Sequence, residues 1–269
     1  VVAIHGGGWG AKDKASMGSG DWYRQHGVAY VTVGYRYVSM SDEYPAMEPP
    51  VAAPLLDAAR AIQMLRYKAE ELNIDPNRLG FTGGSAGGAT STWLACHDDL
   101  ADPDSEDPVA RMSTRPQCAV PVQAQTSLDP KQMQEWIPGI TYGAHAFFPS
   151  SAGRPERKAS RVEQFEFWMS KREEIMPWIK EFSAYEWISE DDPPILFNYI
   201  GRKLIPVSEG ANATHHAEFG RQFCKRMKEV GAECWFVYGE QDRSEEYGTW
   251  RGVQEFFMDQ FFGKGNWQE

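Results

Sequence analysis

The sequence predicts an α/β fold, with a mainly parallel β-sheet and helices on both faces, in one domain over residues 1–269. Short apolar runs with strand character alternate with longer runs of helical period, which is typical of βαβ units with right-handed crossovers. A glycine-rich turn containing a serine lies between a predicted strand and a predicted helix. Apolar residues make up 42% of the 269-residue chain, which is enough to form a large core.

Strands and helices are predicted in alternation along the chain. Residues 29–37, which read AYVTVGYRY, are rich in the β-branched and aromatic residues that favour strands. Residues 51–72 place apolar side chains at steps of three and four, as a helix requires, and Pro54 is tolerated in its first turn. The predicted strands are 1–4, 29–37, 78–82, 119–124, 195–200 and 234–238. The predicted helices are 16–26, 51–72, 89–96, 214–230 and 249–262.

Residues 130–192 do not follow this alternation. The stretch contains no clear strand but many aromatic side chains, and a structureless loop of that length is uncommon in a compact domain. We therefore expect a mostly helical cap inserted into the domain, with its clearest helix over 161–176, ended by Pro177. The aromatic residues are expected to form the core of the cap, and lining of a substrate pocket is the alternative.

The charge balance argues against two classes of partner. The chain has 27 Lys and Arg against 38 Asp and Glu, a net charge of −11, which repels nucleic acid and anionic membranes. No apolar stretch approaches the length of about 18 residues that a membrane-spanning helix needs. The chain begins at Val1, within a predicted strand and without a recognisable targeting segment, so its cellular location is left open.

The cysteines give no sign of a metal site. Cys96, Cys118, Cys224 and Cys234 are far apart and form no C-x-x-C pair, which argues against a zinc ribbon and a dense disulfide framework. Buried free thiols are favoured over one or two disulfides, because free cysteine behaves as a small apolar residue.

The sequence GGSAG at 83–87 is a G-x-S-x-G motif between a predicted strand and a predicted helix. This motif forms a sharp turn that exposes a nucleophilic hydroxyl, here that of Ser85, and the turn requires very small neighbours such as Gly83 and Gly87. The backbone N–H of Ala86, at the start of the following helix, is placed to stabilise an oxyanion. A glycine-rich turn with an incidental serine is the alternative for this motif alone.

A second glycine motif, HGGGW at 5–9, follows the first predicted strand. Loops of this type supply backbone N–H groups to an oxyanion, and glycine is required because a Cβ atom would hinder the approach of the peptide. Gly7 and Gly8 are the candidate donors. The two motifs, in this order, predict an α/β-hydrolase fold.

The motifs resemble the hormone-sensitive-lipase and feruloyl/acetylxylan esterase branch of the α/β-hydrolase superfamily. The resemblance lies in HGGGW, in a helix that includes Asp57, Arg60 and Arg66, and in the run IDPNRLGFTGGSAGG. It implies that Ser85 is the nucleophile and that Gly7, Gly8 and Ala86 form the oxyanion hole. It also implies that the strand before HGGGW is the third of the sheet, so that the first two strands are absent and the truncated sheet edge could pair with another chain.

The remaining catalytic positions depart from the pattern of that branch. Arg202 stands where the resemblance implies an aspartate, and Gly239 to Asp242 replace the stretch that carries the histidine. We predict an exchange of positions, in which His215, or less favourably His216, is the base and Asp242 supplies the orienting carboxylate. Asp129 is the alternative acid, followed by Glu240, and ordinary polar roles for all of these residues remain the competing interpretation.

The expected function is that of a carboxylesterase-type serine hydrolase acting on small-molecule esters with short or carbohydrate-linked acyl groups. Trp9 and His216 are assigned to the substrate pocket. No organic cofactor and no metal is implied. A catalytically degenerate member of the fold that binds a ligand or partner is the alternative, and a peptidase of the prolyl-oligopeptidase type is less favoured.

Overall fold

A computed structural model of the chain describes residues 1–18, 20–38, 47–148, 160–243 and 245–267. Its centre is a sheet of six parallel strands in the order β2-β1-β3-β4-β5-β6. The strands are β1 (Val2–Ile4), β2 (Val31–Val33), β3 (Gly80–Gly84), β4 (Cys118–Val122), β5 (Ile195–Ile200) and β6 (Cys234–Gly239). The predicted parallel α/β architecture is therefore correct.

Helices pack on both faces of the sheet and fill the insertion between β4 and β5. The α-helices are α1 (Asp21–Gln25), α2 (Ala52–Tyr67), α3 (Ala86–Cys96), α4 (Pro130–Trp136), α5 (Arg161–Ser170), α6 (Met176–Phe182), α7 (Glu218–Val230) and α8 (Gly252–Phe262). Short 3₁₀ helices lie at Lys14–Met17, Ala144–Ala146 and Ala184–Trp187. None of the helices within the described ranges is long and apolar enough to span a membrane.

The sheet register brings the two glycine motifs to the same edge. Ile4, the last residue of β1, is paired with Gly83 of β3, so the loop after β1 lies beside the turn after β3. Parallel strands present their carboxyl ends at one edge, which is where sites of α/β proteins gather. One core face contains Ile4, Phe81 and Trp93, and the other contains Val120 and Phe257.

Several predicted helices differ from the observed ones: the helix predicted over 51–72 ends at Tyr67, and the helix predicted over 214–230 begins at Glu218. The helix predicted over 16–26 is divided into a 3₁₀ turn and α1, because Gly18 and Gly20 between them have positive φ angles of 75° and 64°. The helix predicted over 161–176 ends at Ser170 as α5. Pro177 does not end it but lies in the first turn of α6, where the missing proline N–H is tolerated.

The insertion predicted over 130–192 is helical in its described parts, while 149–159 lie outside the described residues. Phe165 and Trp168 of α5 are buried, as are Phe147 and Phe182, and all four belong to one core cluster. These aromatic side chains therefore pack as core, as expected. Asp129 begins α4 by accepting a hydrogen bond from the backbone N–H of Lys131 at 2.9 Å.

The cysteines divide into two pairs. Cys224 of α7 and Cys234 of β6 form a disulfide, so the expectation of free thiols is wrong for them. Cys96 and Cys118 are free and buried, as expected. The disulfide joins α7 to β6, the helix and strand that follow the β5–α7 loop. The two cysteines are 10 positions apart in the sequence, and this spacing matches no cysteine motif that would predict their pairing.

Candidate active site

The turn after β3 has the geometry of a nucleophile elbow. Ser85 has φ 56° and ψ −122°, a strained conformation that begins α3 and lifts its side chain above the sheet edge. A Cβ atom on Gly83 would lie 2.4 Å from the Ile4 carbonyl oxygen, and one on Gly87 would lie 1.9 Å from it. The close approach of β1 to this turn therefore admits only glycine at both positions.

The loop after β1 is held against the elbow by its own backbone. Gly7 has φ +101°, and a Cβ atom there would lie 2.2 Å from the Ala11 carbonyl oxygen. The His5 carbonyl oxygen accepts a 2.7 Å hydrogen bond from the Tyr35 hydroxyl, and the two rings stack at 4.0 Å. These contacts fix the peptides that follow, so the N–H groups of residues 7 and 8 are held in one orientation.

The cap closes over this loop at Gly8. A Cβ atom on Gly8, which has φ +61°, would lie 3.2 Å from His145 Nε2 and 3.3 Å from the Tyr142 hydroxyl oxygen. The Tyr142 hydroxyl also hydrogen-bonds the Thr214 side chain, and burial raises its pKa. Tyr142 therefore connects the glycine loop after β1 to the segment that carries His215.

The structure brings Ser85 and His215 together although 130 residues separate them in the chain. His215 lies in the loop between β5 and α7, and its Nε2 is 2.9 Å from Ser85 Oγ. This is the contact that a serine nucleophile needs with its general base.

The other nitrogen of the His215 ring faces a cation. Arg202 Nη2 donates a hydrogen bond to His215 Nδ1 at 3.3 Å, and Arg202 Nε donates to Gln123 Oε1 at 2.8 Å. Because a guanidinium can only donate, Nδ1 is the acceptor and the ring proton of neutral His215 is on Nε2. In this tautomer Nε2 donates to Ser85 Oγ, which is the reverse of the direction that proton abstraction requires.

The surroundings of His215 disfavour its protonated form. Burial of the ring lowers its pKa below the ordinary value, and the positive charges of Arg202 and Lys12 lower it further. The imidazole is therefore neutral at pH 7, as a general base has to be.

The three candidate acids lie in different surroundings. Asp242 follows β6 in a turn in which its backbone N–H donates to the Gly248 carbonyl oxygen at 2.9 Å, and Glu240 is an exposed residue just before it. Both oxygens of Asp129 accept hydrogen bonds from Arg172, at 2.7 and 2.6 Å. Asp129 thus holds a cap helix in place, and Arg202 occupies the position at Nδ1 where the predicted Asp242 carboxylate would have to accept a hydrogen bond.

Trp9 and His216, which the sequence analysis assigns to the substrate pocket, do not line the cavity at Ser85. Trp9 is 1% exposed, and its indole N–H donates to Thr90 Oγ1 at 3.0 Å, which makes it a core residue of the loop. His216 Nε2 bonds the Ile205 carbonyl oxygen at 2.9 Å, and its Nδ1 accepts from the Glu218 backbone N–H at 3.1 Å. His216 therefore stabilises the start of α7 through these hydrogen bonds. Of the two histidines, His215 is the one that contacts Ser85.

A cavity of about 710 Å³ opens at Ser85. Its lining includes Gly7, Gly8, Ser85, Tyr142 and His215, and Ala86 is fully buried directly after the serine. Sequence reasoning missed Lys12 and Tyr142, which also line it; Lys12 follows HGGGW closely in sequence, whereas nothing in the sequence marked Tyr142. Within the part of the chain that the structure describes, no group of three or more His, Cys, Asp or Glu side chains could hold a metal ion.

Comparison with known proteins fits this geometry. The family model described as BD-FAE matches residues 1–202 of the 269-residue chain, which includes both glycine motifs and Arg202. The chain belongs to the BD-FAE family. A solved structure of a thermophilic esterase from Thermogutta terrifontis superposes on this BD-FAE chain with a TM-score of 0.65 and 20% identity, covering 100% of this chain and 83% of that one. The α/β-hydrolase fold predicted from the sequence is therefore correct.

Two curated relatives are similar to this BD-FAE chain in sequence. An acetylxylan esterase of Xylanibacter ruminicola is 22% identical over 270 residues, covering 99% of this chain and 44% of that protein. The carboxylesterase NlhH of Mycobacterium tuberculosis is 35% identical over 96 residues, covering 35% of this chain and 28% of that protein. The chain thus spans less than half the length of the curated relatives it matches.

Proposed function

We propose that this chain is a serine carboxylic-ester hydrolase that acts on esters of short acyl groups or of acyl groups linked to carbohydrate. The observation that carries the proposal is the 2.9 Å contact between Ser85 Oγ and His215 Nε2 at the wall of a cavity. The names of the relatives, an acetylxylan esterase and a carboxylesterase, support the reaction class.

In the proposed reaction, Ser85 Oγ attacks the acyl carbon while His215 Nε2 takes the hydroxyl proton. The carbonyl oxygen becomes an oxyanion that the backbone N–H groups of Gly7, Gly8 and Ala86 stabilise. The imidazolium then gives its proton to the leaving alcohol oxygen, and the acyl group stays on the serine. Water, deprotonated by the same imidazole, releases the acid and restores the hydroxyl.

The resting tautomer of His215 has to change before this cycle can begin. The hydrogen bond from Arg202 to Nδ1 keeps the ring proton on Nε2, so Arg202 has to leave Nδ1 and the proton has to move there. The proposal assigns Asp242, from the neighbouring loop after β6, as the carboxylate that then accepts the Nδ1 proton. The Gly239 N–H donates a backbone hydrogen bond to the Arg202 carbonyl oxygen at 2.7 Å, which supports the proximity of the segments that follow β5 and β6.

Binding without turnover is the second candidate function. The observation that favours it is the same contact of Arg202 with His215 Nδ1, since a cation at this nitrogen opposes formation of the imidazolium. In that case the cavity at Ser85 would hold a ligand, and the hydroxyl would act as a hydrogen-bonding group.

Labelling with a fluorophosphonate probe, followed by peptide mapping, separates the two functions. The hydrolase predicts covalent label on the peptide that contains Ser85, and 4-nitrophenyl acetate turnover that falls about 10⁴-fold or more in Ser85→Ala. Ser91→Ala, which changes a serine of the same helix that bonds the Gly87 carbonyl oxygen, is the matched control and keeps both signals. A folded wild-type protein with neither label nor turnover would contradict the hydrolase and support binding.

A further inference from the structure

The charges around the catalytic pair are opposite in sign to the charge of the chain. Lys12 lines the cavity at Ser85, and Arg202 contacts the far side of the His215 ring. Among the described residues that line this cavity there is no Asp or Glu, although the chain as a whole carries a net charge of −11. A cavity with one sign of charge attracts and orients ligands of the other sign.

Arg202 differs from Arg36 and Arg172 in its partners. Arg36 binds Asp57 and Arg172 binds Asp129, each through two or more hydrogen bonds to a carboxylate. Arg202 instead contacts an amide oxygen and a ring nitrogen, and neither it nor Lys12 forms a salt bridge with any residue in the described ranges. Both cations are exposed, so they are open to a carboxylate that arrives with a ligand.

The position of His215 decides which half of an ester meets these charges. The imidazole gives its proton to the leaving oxygen, so the alcohol half has to lie beside the ring, while the acyl carbonyl lies at the N–H groups of the glycine loop. Arg202 and Ser85 lie on opposite sides of the His215 ring: Arg202 Nη2 contacts Nδ1, and Ser85 Oγ contacts Nε2. Arg202, beside the imidazole, is therefore the cation that faces the alcohol half, while Lys12 lines the same cavity next to the glycine loop, with its Cγ 3.3 Å from the position that a Cβ atom on Gly7 would take.

We propose that Arg202, assisted by the positive charge of Lys12 in the same cavity, forms a carboxylate-binding site for the alcohol half of the substrate, so that the preferred substrates are acylated hydroxy acids, acidic sugars included. This inference rests on the proposed function. A carboxylate bound to Arg202 also competes with His215 Nδ1 for the guanidinium N–H groups, because it accepts hydrogen bonds more strongly than a neutral ring nitrogen. Substrate binding thereby frees Nδ1 to carry the ring proton, which leaves Nε2 able to accept the proton of the Ser85 hydroxyl.

A pair of matched esters tests the charge requirement directly. 4-Acetoxybenzoate and 4-acetoxybenzamide have the same shape and the same acetyl group, and they differ in the negative charge of the alcohol half. We expect wild type to favour the benzoate in kcat/KM by about tenfold, the size of one hydrogen bond to a charged group. Lys12→Met and Arg202→Met are each expected to reduce this ratio toward one, and Lys203→Met, at an exposed lysine directly after Arg202, keeps it.

Two results of the kinetic experiment would overturn the site. One is a wild-type ratio near one, with both esters hydrolysed, and it leaves the hydrolase proposal intact. The other is a loss of preference in Lys203→Met as large as that in Lys12→Met, because the preference would then reflect overall charge and not a site.

Binding to Ser85→Ala keeps the inference testable without turnover. Calorimetric titration of this variant with the two esters is expected to give a dissociation constant about tenfold lower for the benzoate. Equal affinity would contradict the carboxylate site. Preferential binding of the benzoate, together with a wild-type protein that hydrolyses neither ester, would contradict the hydrolase and leave the site standing.

Discussion

The nucleophile side of the candidate site and its base side are held in place by different means. On the nucleophile side, backbone atoms of β1 and of the turn after β3 approach so closely that Gly83 and Gly87 have no room for a Cβ atom. On the base side, His215 lies in the irregular segment between β5 and α7, and the long, exposed side chain of Arg202 reaches it. One side is defined by backbone packing and the other by side chains that extend from loops.

This difference explains why the two sides are unequally visible in the sequence. Backbone packing leaves glycine as the only residue that fits, so HGGGW and GGSAG are recognisable from their letters alone. A histidine or a charged residue on a loop can reach the same point in space from several positions in the chain, since a triad is defined by geometry. The base side can therefore depart from the pattern that the sequence resemblance implies while the nucleophile side keeps it.

Replacing His215 and His216 by alanine, one at a time, is the strongest test of the base side. We expect His215→Ala to lower kcat/KM for 4-nitrophenyl acetate by about 10⁴-fold, because the serine hydroxyl loses its proton acceptor. His216→Ala, at the adjacent position, is expected to lower stability by about 1 kcal/mol through loss of its contact with the Glu218 N–H, and to keep most of the activity. The reverse pattern, with His216 essential and His215 dispensable, would show that the base has been misassigned.

An added methyl group at Gly8 tests the nucleophile side. Gly8→Ala is expected to lower kcat by about 10²- to 10³-fold, the effect of losing one oxyanion donor, because the new Cβ would press on His145 Nε2 and the Tyr142 hydroxyl. Gly34→Ala is the control, since a Cβ atom there meets its nearest neighbour, Lys14 Cδ, at 4.0 Å. Full activity in Gly8→Ala, measured with the same ester, would remove this loop from the mechanism.

The same contrast runs through the fold. β5 is predicted correctly at Ile195–Ile200, because a strand that is buried on both faces and paired on both sides appears as a nearly continuous apolar run, here introduced by Pro193 and Pro194. The strand predicted over 29–37 is observed as Val31–Val33, because its partner β1 offers three residues for pairing. Beyond it, Arg36 turns to Asp57, a long-range ion pair that periodicity does not reveal.

The candidate site divides in the same way. Ser85 and the glycine loop can be placed from motifs, whereas the sequence shows Arg202 only as the residue that stands where the resemblance implies an aspartate. Its contact with His215 depends on the path of the loop after β5 and on side-chain torsions, which local sequence does not determine. The role of Asp242 stays a prediction for the same reason.

The pH dependence of catalysis gives the smallest of these effects and reports on the charges that face the base. His215 is surrounded by the Ser85 hydroxyl, Arg202 and Lys12, and burial together with the two cations lowers its pKa. Because the base works in its neutral form, activity is lost as pH falls through that pKa, so the acid limb of kcat/KM is expected below 6.5, the ordinary value.

Removing either cation is expected to move that limb. A neutral residue in place of Arg202 or Lys12 raises the pKa of His215, so the limb shifts to higher pH, more in Arg202→Met than in Lys12→Met because Arg202 has the larger influence. Profiles of kcat/KM against pH for a neutral ester measure both shifts, with Lys203→Met as the control that leaves the limb in place. A wild-type limb above 6.5 that stays in place in Arg202→Met would mean that a carboxylate, and not the guanidinium, faces Nδ1 in solution, because a carboxylate raises the pKa of the imidazole; this would favour Asp242 as the partner of the base.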